Sequence, residues 1–437
     1  MAGPARTARV VCQAIPYNRR RSSVNKQRDG TLTVLRHARG ADSSAFQTLG
    51  IDCKLALVAI IGDDAATRGQ GFRFSSDLRD DIWHANSEAG AYEWWYFDAI
   101  SDDGRETLVI IFLADFIFSP RYNRAAAAAE RLQTTGGGES PPSPQFPAVS
   151  FCLYRDGRPA LRVVNEYAAA DFQASRTRPE CRIGASHFQL EESGTERRFR
   201  LTLDEPLRGG QRLRGTFTWE MIEGDYVRVD ETPGSGGGAH SHEWNLVAPR
   251  CRVSGSYNVG GQEQQAFGQK QFAGVGYHDH NRDQRWLPAT VASWQWGRAH
   301  FPDATVVFYR YREIVEQSDR TLVFLVRRDQ LSRHSATFTS GPARRHHFGV
   351  RFSRAIALAF EEQTKPLTLH VNQQKIVDAS YFYLRFLGDA TLTLGDNRTQ
   401  HAPAITEHLA PRALRWRWLD WLTDMRIGRH GRASFLP

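Results

Sequence analysis

The 437-residue sequence predicts an all-β protein: two consecutive antiparallel β-barrel or sandwich domains with a short C-terminal helix. Three observations predict it. Short runs rich in Val, Ile, Phe and Thr recur at regular spacing. Turn signals such as Asp103-Gly104, Asp156-Gly157 and Gly209-Gly210 separate several of them. Only the C-terminal end breaks this habit.

Residues 1–75 read as a basic extension with weak patterning, either a flexible arm or the product of an upstream start. Strands are expected at Glu106–Leu113, Ala148–Arg155, Phe199–Leu203, Arg214–Glu220 and Arg252–Tyr257, making a first domain over 76–285. The pattern resumes at Ser293–His300, Ala304–Tyr311, Thr321–Arg327, His347–Phe352, Leu367–Val371, Tyr381–Phe386 and Thr391–Leu394, making a second over 286–437. Two segments are low in complexity. Ala125–Ala129 runs into Thr134–Pro144 and is read as a mobile loop, and Thr232–Gly238 as a linker. No repeat of 20–50 residues is evident, so no propeller is expected. In Ala413–Arg426 the residues Leu414, Trp418, Trp421 and Met425 are spaced for one helical face. Arg412, Arg415, Arg417 and Arg426 lie outside that stripe. Such a helix suits packing against a barrel, or an interfacial position with tryptophans at acyl depth and arginines among headgroups.

Composition excludes several classes. The chain is 41% hydrophobic and 24% charged, neither disordered nor collagenous. Its longest apolar run, Leu55–Ile61, is far short of the roughly 20 residues of a spanning helix. No secretory signal is expected. The net charge of +8 resides in residues 1–40, which hold nine basic residues and one acid; the remaining 47 basic and 47 acidic residues balance. A nucleic-acid groove would place that excess on the folded body, so no nucleic-acid partner is expected. Lysine occurs only at positions 26, 54, 270, 365 and 375, an arginine bias ascribed to genomic base composition. Five scattered cysteines form no C-x-x-C pair and suggest neither a zinc knuckle nor a disulfide framework.

No Walker loop, H-E-x-x-H, G-x-S-x-G or dinucleotide fingerprint is present, so side chains and water should suffice for any catalysis. Four clusters stand out: Tyr92-Glu-Trp-Trp-Tyr-Phe-Asp98, His240-Ser-His-Glu-Trp-Asn-Leu-Val-Ala-Pro249, Gly274-Val-Gly-Tyr-His-Asp-His-Asn281 and Ser293-Trp-Gln-Trp-Gly-Arg298. On extended strands His242 shares a face with Trp244, Tyr277 with Asp279, and Trp294 with Trp296. A metal site from His240, His242, His278, Asp279 and His280 would need two histidine pairs to converge while Tyr277 and Asp279 face away from the second pair. No metal is expected. An aspartate among indole rings is poorly solvated and its pKa should rise, which makes it a general acid near neutral pH. Aromatic faces stabilise a developing cation. Acid, aromatic box and oily pocket together could protonate an alkene.

The ordered set Glu93-Trp-Trp-Tyr-Phe-Asp-Ala-Ile-Ser-Asp-Asp-Gly104, Phe118-Ser-Pro-Arg-Tyr122, His242-Glu-Trp-Asn-Leu-Val-Ala-Pro249, Gly276-Tyr-His-Asp279 and Trp294-Gln-Trp-Gly-Arg298 resembles the carotenoid 1,2-hydratase (hydroxyneurosporene synthase) family, within the two-domain lipocalin-like proteins. The similarity runs from about Tyr92 to about Arg426. Where the family continues with Asn-Trp-Gly, this chain has Asn281-Arg282-Asp283, which changes the rim of the site.

The resemblance implies lipocalin-like domains and cofactor-free hydration of the terminal C1–C2 double bond of an acyclic carotene such as neurosporene or lycopene. It places functional positions on His242, Trp244, Tyr277 and Asp279. In the expected division of labour Asp279 protonates C2, Trp244 and one of Trp294 and Trp296 hold the tertiary cation at C1, Tyr277 hydrogen-bonds Asp279, and His242 orients or deprotonates water. Trp94, Trp95, Tyr96, Trp294 and Trp296 are expected to bind substrate. A carotene must come from a membrane, so the implied protein is cytoplasmic and peripherally attached to the inner membrane. A related cyclase or isomerase of a polyene or terpenoid, or a non-catalytic carrier of a hydrophobic ligand, would fit the same pocket. The carrier would not need a buried acid.

Overall fold

The computed structural model describes residues 72–134, 145–226, 242–261, 268–314, 319–327, 330–363, 365–429 and 431–435. The basic arm up to residue 71, the Thr232–Gly238 linker and His240 lie outside the described residues. The strands that build the site are, in chain order, β1 (Phe72–Ser75), β2 (Tyr92–Ser101), β3 (Glu106–Leu113), β4 (His242–Gly260), β5 (Lys270–Asp283), β6 (Val291–His300), β7 (Thr305–Glu313), β8 (Tyr383–Thr393) and β9 (Thr399–Leu409). A helix, α1 (Pro120–Thr134), follows β3, and a single turn, α2 (Asp420–Asp424), comes near the end.

Two large, barrel-like sheets result, and the fold is the all-β, lipocalin-like pair with a short C-terminal helix that the sequence predicts. The first sheet has 13 strands and places β2 between β3 and β5, with β4 beyond β5; the second has nine and places β6 between β7 and β9. Strand β1 runs parallel to β4, pairing Phe72 with His242 and Phe74 with Trp244. The last four residues of the expected extension are therefore part of the sheet. The pair Gly428–Arg429 returns to the first sheet beside Asn165 and Glu166.

Local chemistry accounts for these elements. The β2 sequence is almost wholly aromatic or apolar, and nine of its ten residues are buried, as expected of a strand covered on both faces. Its hairpin to β3 closes on Gly104, whose φ is +68°, while the Asp103 carboxylate accepts from Ser101 Oγ at 2.6 Å and the Arg105 amide at 3.0 Å. Asp156 and Gly157 both take positive φ, the geometry of a two-residue hairpin loop. The strands Glu106–Leu113 and Ala148–Arg155 match their expected ranges residue for residue.

Three expectations need correction. Ala125–Ala129 is not loop but the middle of α1, which starts with Pro120 after Ser119 and buries Tyr122 and Ala126 one turn apart; alanine is the best helix former. The expected Tyr381–Phe386 and Thr391–Leu394 merge into one strand, β8, with Tyr381, Phe382 and Leu394 outside it. His347–Phe352 is mostly turn before a three-residue strand, Arg351–Ser353.

The C-terminal segment also differs. It is two 3-10 turns, Pro411–Arg415 and Arg417–Leu419, leading into α2. At three residues per turn, a spacing of four no longer keeps one face. Leu414 is buried, whereas Trp416, Trp418 and Trp421 are 52%, 72% and 55% exposed.

Three principal apolar clusters fill the molecule. One lies within the first sheet and includes Trp95, Phe97, Phe199 and Trp219. Another lies within the second and includes Phe301, Phe308 and Leu369. The third combines Tyr92, Trp94, Tyr96, Trp244 and Tyr277 of the first sheet with Trp294, Trp296, Tyr309 and Leu409 of the second. Strand alternation divides neighbouring residues between the clusters. Even-numbered β2 residues face the second sheet; Trp95 and Phe97 face their own barrel.

Candidate active site

The cluster between the two sheets holds the candidate site. Tyr277, Asp279 and Asn281 project from β5 on the face carrying Trp94 and Tyr96 of β2. Asp279 stands directly opposite Tyr96, and Trp244 of β4 opposite Asn281. The chain can pass closely at Gly276 because a Cβ there would meet the Asp98 carbonyl at 2.6 Å.

Asp279 is the centre of the hydrogen bonding. Trp244 Nε1 donates to its Oδ2 at 2.8 Å, Tyr277 Oη donates to Oδ2 at 2.7 Å, and Asn281 Nδ2 donates to Oδ1 at 2.9 Å. Burial pushes the Asp279 pKa up to about 7, against the lowering effect of the Tyr277 and Trp244 bonds; the charges of Glu407 and Asp98 add to the rise. Near neutral pH the carboxyl therefore exists in both protonation states. No arginine pairs with it among the described residues. His242, Trp244 and Tyr277 have no accessible surface, while Asp279 keeps 4%.

His242 is enclosed by rings. Its Nδ1 lies 3.0 Å from Tyr92 Oη and its Nε2 2.8 Å from Tyr309 Oη. It stacks between Trp294 and Tyr311, at 5.8 and 5.6 Å between centroids. Burial, with the charge of Arg285, lowers its pKa to about 3. The imidazole is neutral, and both nitrogens are engaged by tyrosines.

An apolar cavity of about 270 Å³ adjoins this group. Trp94, Tyr96 and Trp294 line it on the side of the site; Phe116, Phe118, Phe382 and Tyr383 add further rings, and the charged Arg162, Asp378, Arg385 and Glu407 also reach it. None of His242, Trp244, Tyr277 and Asp279 lines this cavity. They stand behind the Trp94–Tyr96–Trp294 wall. Trp296 is also behind it, with its ring 5.4 Å from Tyr96 and 5.3 Å from Tyr277. Of the five expected substrate-binding residues, Trp94, Tyr96 and Trp294 reach the cavity. Trp95 does not: alternation turns it into the first barrel, where it stacks on His280 at 4.8 Å.

Sequence inspection missed Tyr92, Tyr309, Arg385 and Glu407. Tyr92 lay within a quoted motif, and its shared parity with Trp94 and Tyr96 could have revealed it. Tyr309 and Arg385 fall within expected strands, but no local pattern indicates that these strands and that of Glu407 meet Asp279. The Arg298 of the fourth motif reaches across to Asp98, with Nε 2.9 Å from Oδ1; both residues are fully buried, and the pair joins the two sheets.

His278 and His280 face the first barrel, not Asp279. His278 stacks on Phe97 at 3.9 Å and bonds Asp81 at 3.0 Å. His84, Glu93 and His280 offer atoms within 4.8 Å of one another, a spacing a cation could use. They already pair internally, at 2.8 Å for His84–Glu93 and 2.9 Å for His280–Glu93. Burial would lower the His280 pKa, but Asp81 and Glu93 raise it to about 9, so an imidazolium supplies the positive charge there. The divergent Arg282 pairs with Glu243 at 2.6 Å, and Asp283 with Arg285 at 2.9 Å. Both changes thus end in ion pairs, and neither residue lines the cavity.

Fold and site together define an all-β, lipocalin-like protein with a buried carboxyl and an aromatic box between its two large sheets. A family model for the carotenoid hydratase CrtC matches residues 163–436. The chain belongs to that carotenoid hydratase family. It is 25% identical over 364 residues to a hydroxyneurosporene dehydrogenase of Chlorobaculum tepidum, covering 82% of this chain and 93% of that one. It is 29% identical over 226 residues to an acyclic carotenoid 1,2-hydratase of Thiocapsa roseopersicina, covering 50% of this chain and 47% of the relative. A solved AttH structure from Nitrosomonas europaea superposes with a TM-score of 0.50 at 14% identity, over 76% of this chain and 95% of that one; this likeness concerns the fold.

Proposed function

We propose that the protein adds water across the terminal C1–C2 double bond of an acyclic carotene of the neurosporene or lycopene type, with Asp279 as the proton donor and no cofactor in the chemical step. The observation that carries this reading is Asp279: a buried carboxyl with a pKa near 7, one strand from an apolar cavity. Asp279 does not line the cavity, so its protonation of the substrate requires the Tyr96 side chain to move aside for the end group. Protonation at C2 leaves a tertiary cation at C1, stabilised by its two methyl groups. Indole faces nearby each contribute about 2 kcal/mol when desolvated and well placed. Trp244, Trp294 and Trp296 are the candidates. Tyr277 and Trp244 orient the Asp279 carboxyl. His242 holds Tyr92 and Tyr309 in place, and the Tyr309 ring lies 5.0 Å from Trp244. Contact between His242 and water would require one of its tyrosine bonds to open.

The cavity is slightly below the roughly 300–1,000 Å³ of drug-sized pockets. It suits one end of a C40 hydrocarbon, with the rest extending outward. Among the described residues no helix is long and apolar enough to cross a membrane. Trp416, Trp418 and Trp421 are exposed beside the exposed Arg412, Arg415 and Arg417, a composition suited to a headgroup region. The same segment continues to Leu422, Arg426 and Ile427 at the cavity. We assign it to peripheral docking on the cytoplasmic face of the inner membrane, where the substrate resides.

Pigment extracts from a lycopene-producing host, with and without this gene, test the function. Singly or doubly hydroxylated carotenoids are expected. Unchanged pigments despite folded protein would overturn it.

A further inference from the structure

In a hydration the attacking water loses a proton after the acid has given one, either back to the Asp279 carboxylate or to a second acceptor beside the cavity. Both His242 nitrogens are engaged by tyrosines, and neither His242 nor Asp279 lines the cavity, so a carboxylate on the cavity itself is the better-placed acceptor. Two carboxylates line the cavity, Asp378 and Glu407. Asp378 is paired with Arg162 at 2.7 Å. Glu407, on β9, stands opposite Trp296 of β6 and Arg385 of β8. This places it at the aromatic end of the cavity.

Its anchoring leaves one oxygen available. Arg385 Nε donates to Glu407 Oε1 at 2.8 Å, and Tyr96 Oη donates to the same oxygen at 3.4 Å. Oε2 has no protein partner among the described residues. Arg385 is buried, with Nη1 donating to Tyr154 Oη at 2.8 Å, so the carboxylate is held on a fixed cation. On the neighbouring strand β8, two residues before Arg385, the buried Tyr383 hydroxyl has no hydrogen-bond partner among the described residues. Buried hydroxyls rarely go unpaired, and water usually satisfies them.

We propose that Glu407 is the general base of the hydration and that the Tyr383 hydroxyl helps hold the attacking water. This rests on the hydratase reading above. The Asp279 O–H bond breaks as C2–H forms, and the π electrons leave a cation at C1. The water oxygen bonds C1 as its proton passes to Glu407 Oε2. The turnover ends with Asp279 ionised and Glu407 protonated, and one proton transfer between them through solvent restores the start. The balance is one alkene plus one water to one alcohol.

The test uses full-length protein and lycopene in phospholipid vesicles, with product measured by chromatography and carotene binding by quenching of tryptophan fluorescence. Wild-type protein should form hydroxylated product; its failure would remove the hydratase reading and this inference together. With active wild type, Glu407→Gln should lower kcat about 100-fold or more, with binding within about threefold, while Glu407→Ala should regain activity in formate and Asp279→Asn should not. Should Glu407→Gln fail to fold, Glu407→Asp keeps the charge on Arg385 but withdraws the oxygen by one methylene. Its kcat should fall about tenfold with KM little changed. Full activity in Glu407→Gln or Glu407→Asp, or no formate rescue in a folded Glu407→Ala, would overturn Glu407 as the base while leaving the hydratase reading intact.

Discussion

The indole nitrogen of Trp244 donates to Asp279 Oδ2 at 2.8 Å, joining β4 to β5 across a buried carboxyl. That bond opposes what burial does. Burial raises the Asp279 pKa, and the donor stabilises the ionised form and lowers it. The balance near 7 is what allows one group to hold a proton at neutral pH and still release it.

Activity should therefore depend on Asp279 being protonated. Rates measured from pH 5.5 to 8.5 should fall as pH rises through about 7. Asp279→Asn should lose hydration by about 100-fold or more at every pH. A flat profile, or an active and folded Asn variant, would exclude Asp279 as the acid.

Trp244→Phe keeps an aromatic face but removes the donor. The Asp279 pKa should rise, so the alkaline limb of the rate profile should move to higher pH. A limb that stays in place would show that the indole acts only through its ring.

The same carboxyl carries a stability signature. Its folded pKa of about 7 exceeds the 3.8 of an ordinary aspartate, so the folded state binds the proton more tightly. Its contribution to stability is lost as pH rises between these values. Asparagine does not titrate, so the stability of Asp279→Asn relative to wild type should increase by about 2–3 kcal/mol between pH 5 and pH 8. Urea unfolding at the two pH values measures it.

The Arg298–Asp98 pair crosses between the sheets with both side chains fully buried. Removing one partner strands a charge, so Arg298→Met should destabilise by about 3–5 kcal/mol. The double variant Arg298→Met with Asp98→Leu should recover much of that loss. Denaturant titration of the three proteins checks both statements.

Membrane docking is best probed with point variants. Truncation before Ala413 would remove the buried Leu414 and Leu419 and the Gly428–Arg429 pairing with the first sheet. Replacing Trp416, Trp418 and Trp421 together by Ser should instead reduce co-sedimentation with anionic vesicles while leaving the thermal midpoint within a few degrees. Unchanged partitioning would assign these rings another role.

Alternation and turn chemistry act locally, so the all-β class, most strands and the hairpins at Gly104 and Asp156-Gly157 were legible in the residues. The shared faces of His242 with Trp244 and of Tyr277 with Asp279 follow from the same two-residue period. Asp279 buried among aromatic rings was likewise expected from residue type. Alanine-rich α1 was misread because a repetitive run signals low complexity as readily as helix. The interrupted C-terminal turns escaped notice because a spacing of three and four cannot distinguish 3-10 from α winding.

What lay beyond local pattern was the contact between the two sheets. The box is formed where outward faces of two sheets meet, and neither sheet contains it alone. Glu407, Arg385 and Tyr309 come from strands far along the chain, brought to Asp279 only by closure of the second sheet against the first. Strand periodicity states which side chains share a face; burial of that face against a partner decides what the face encloses.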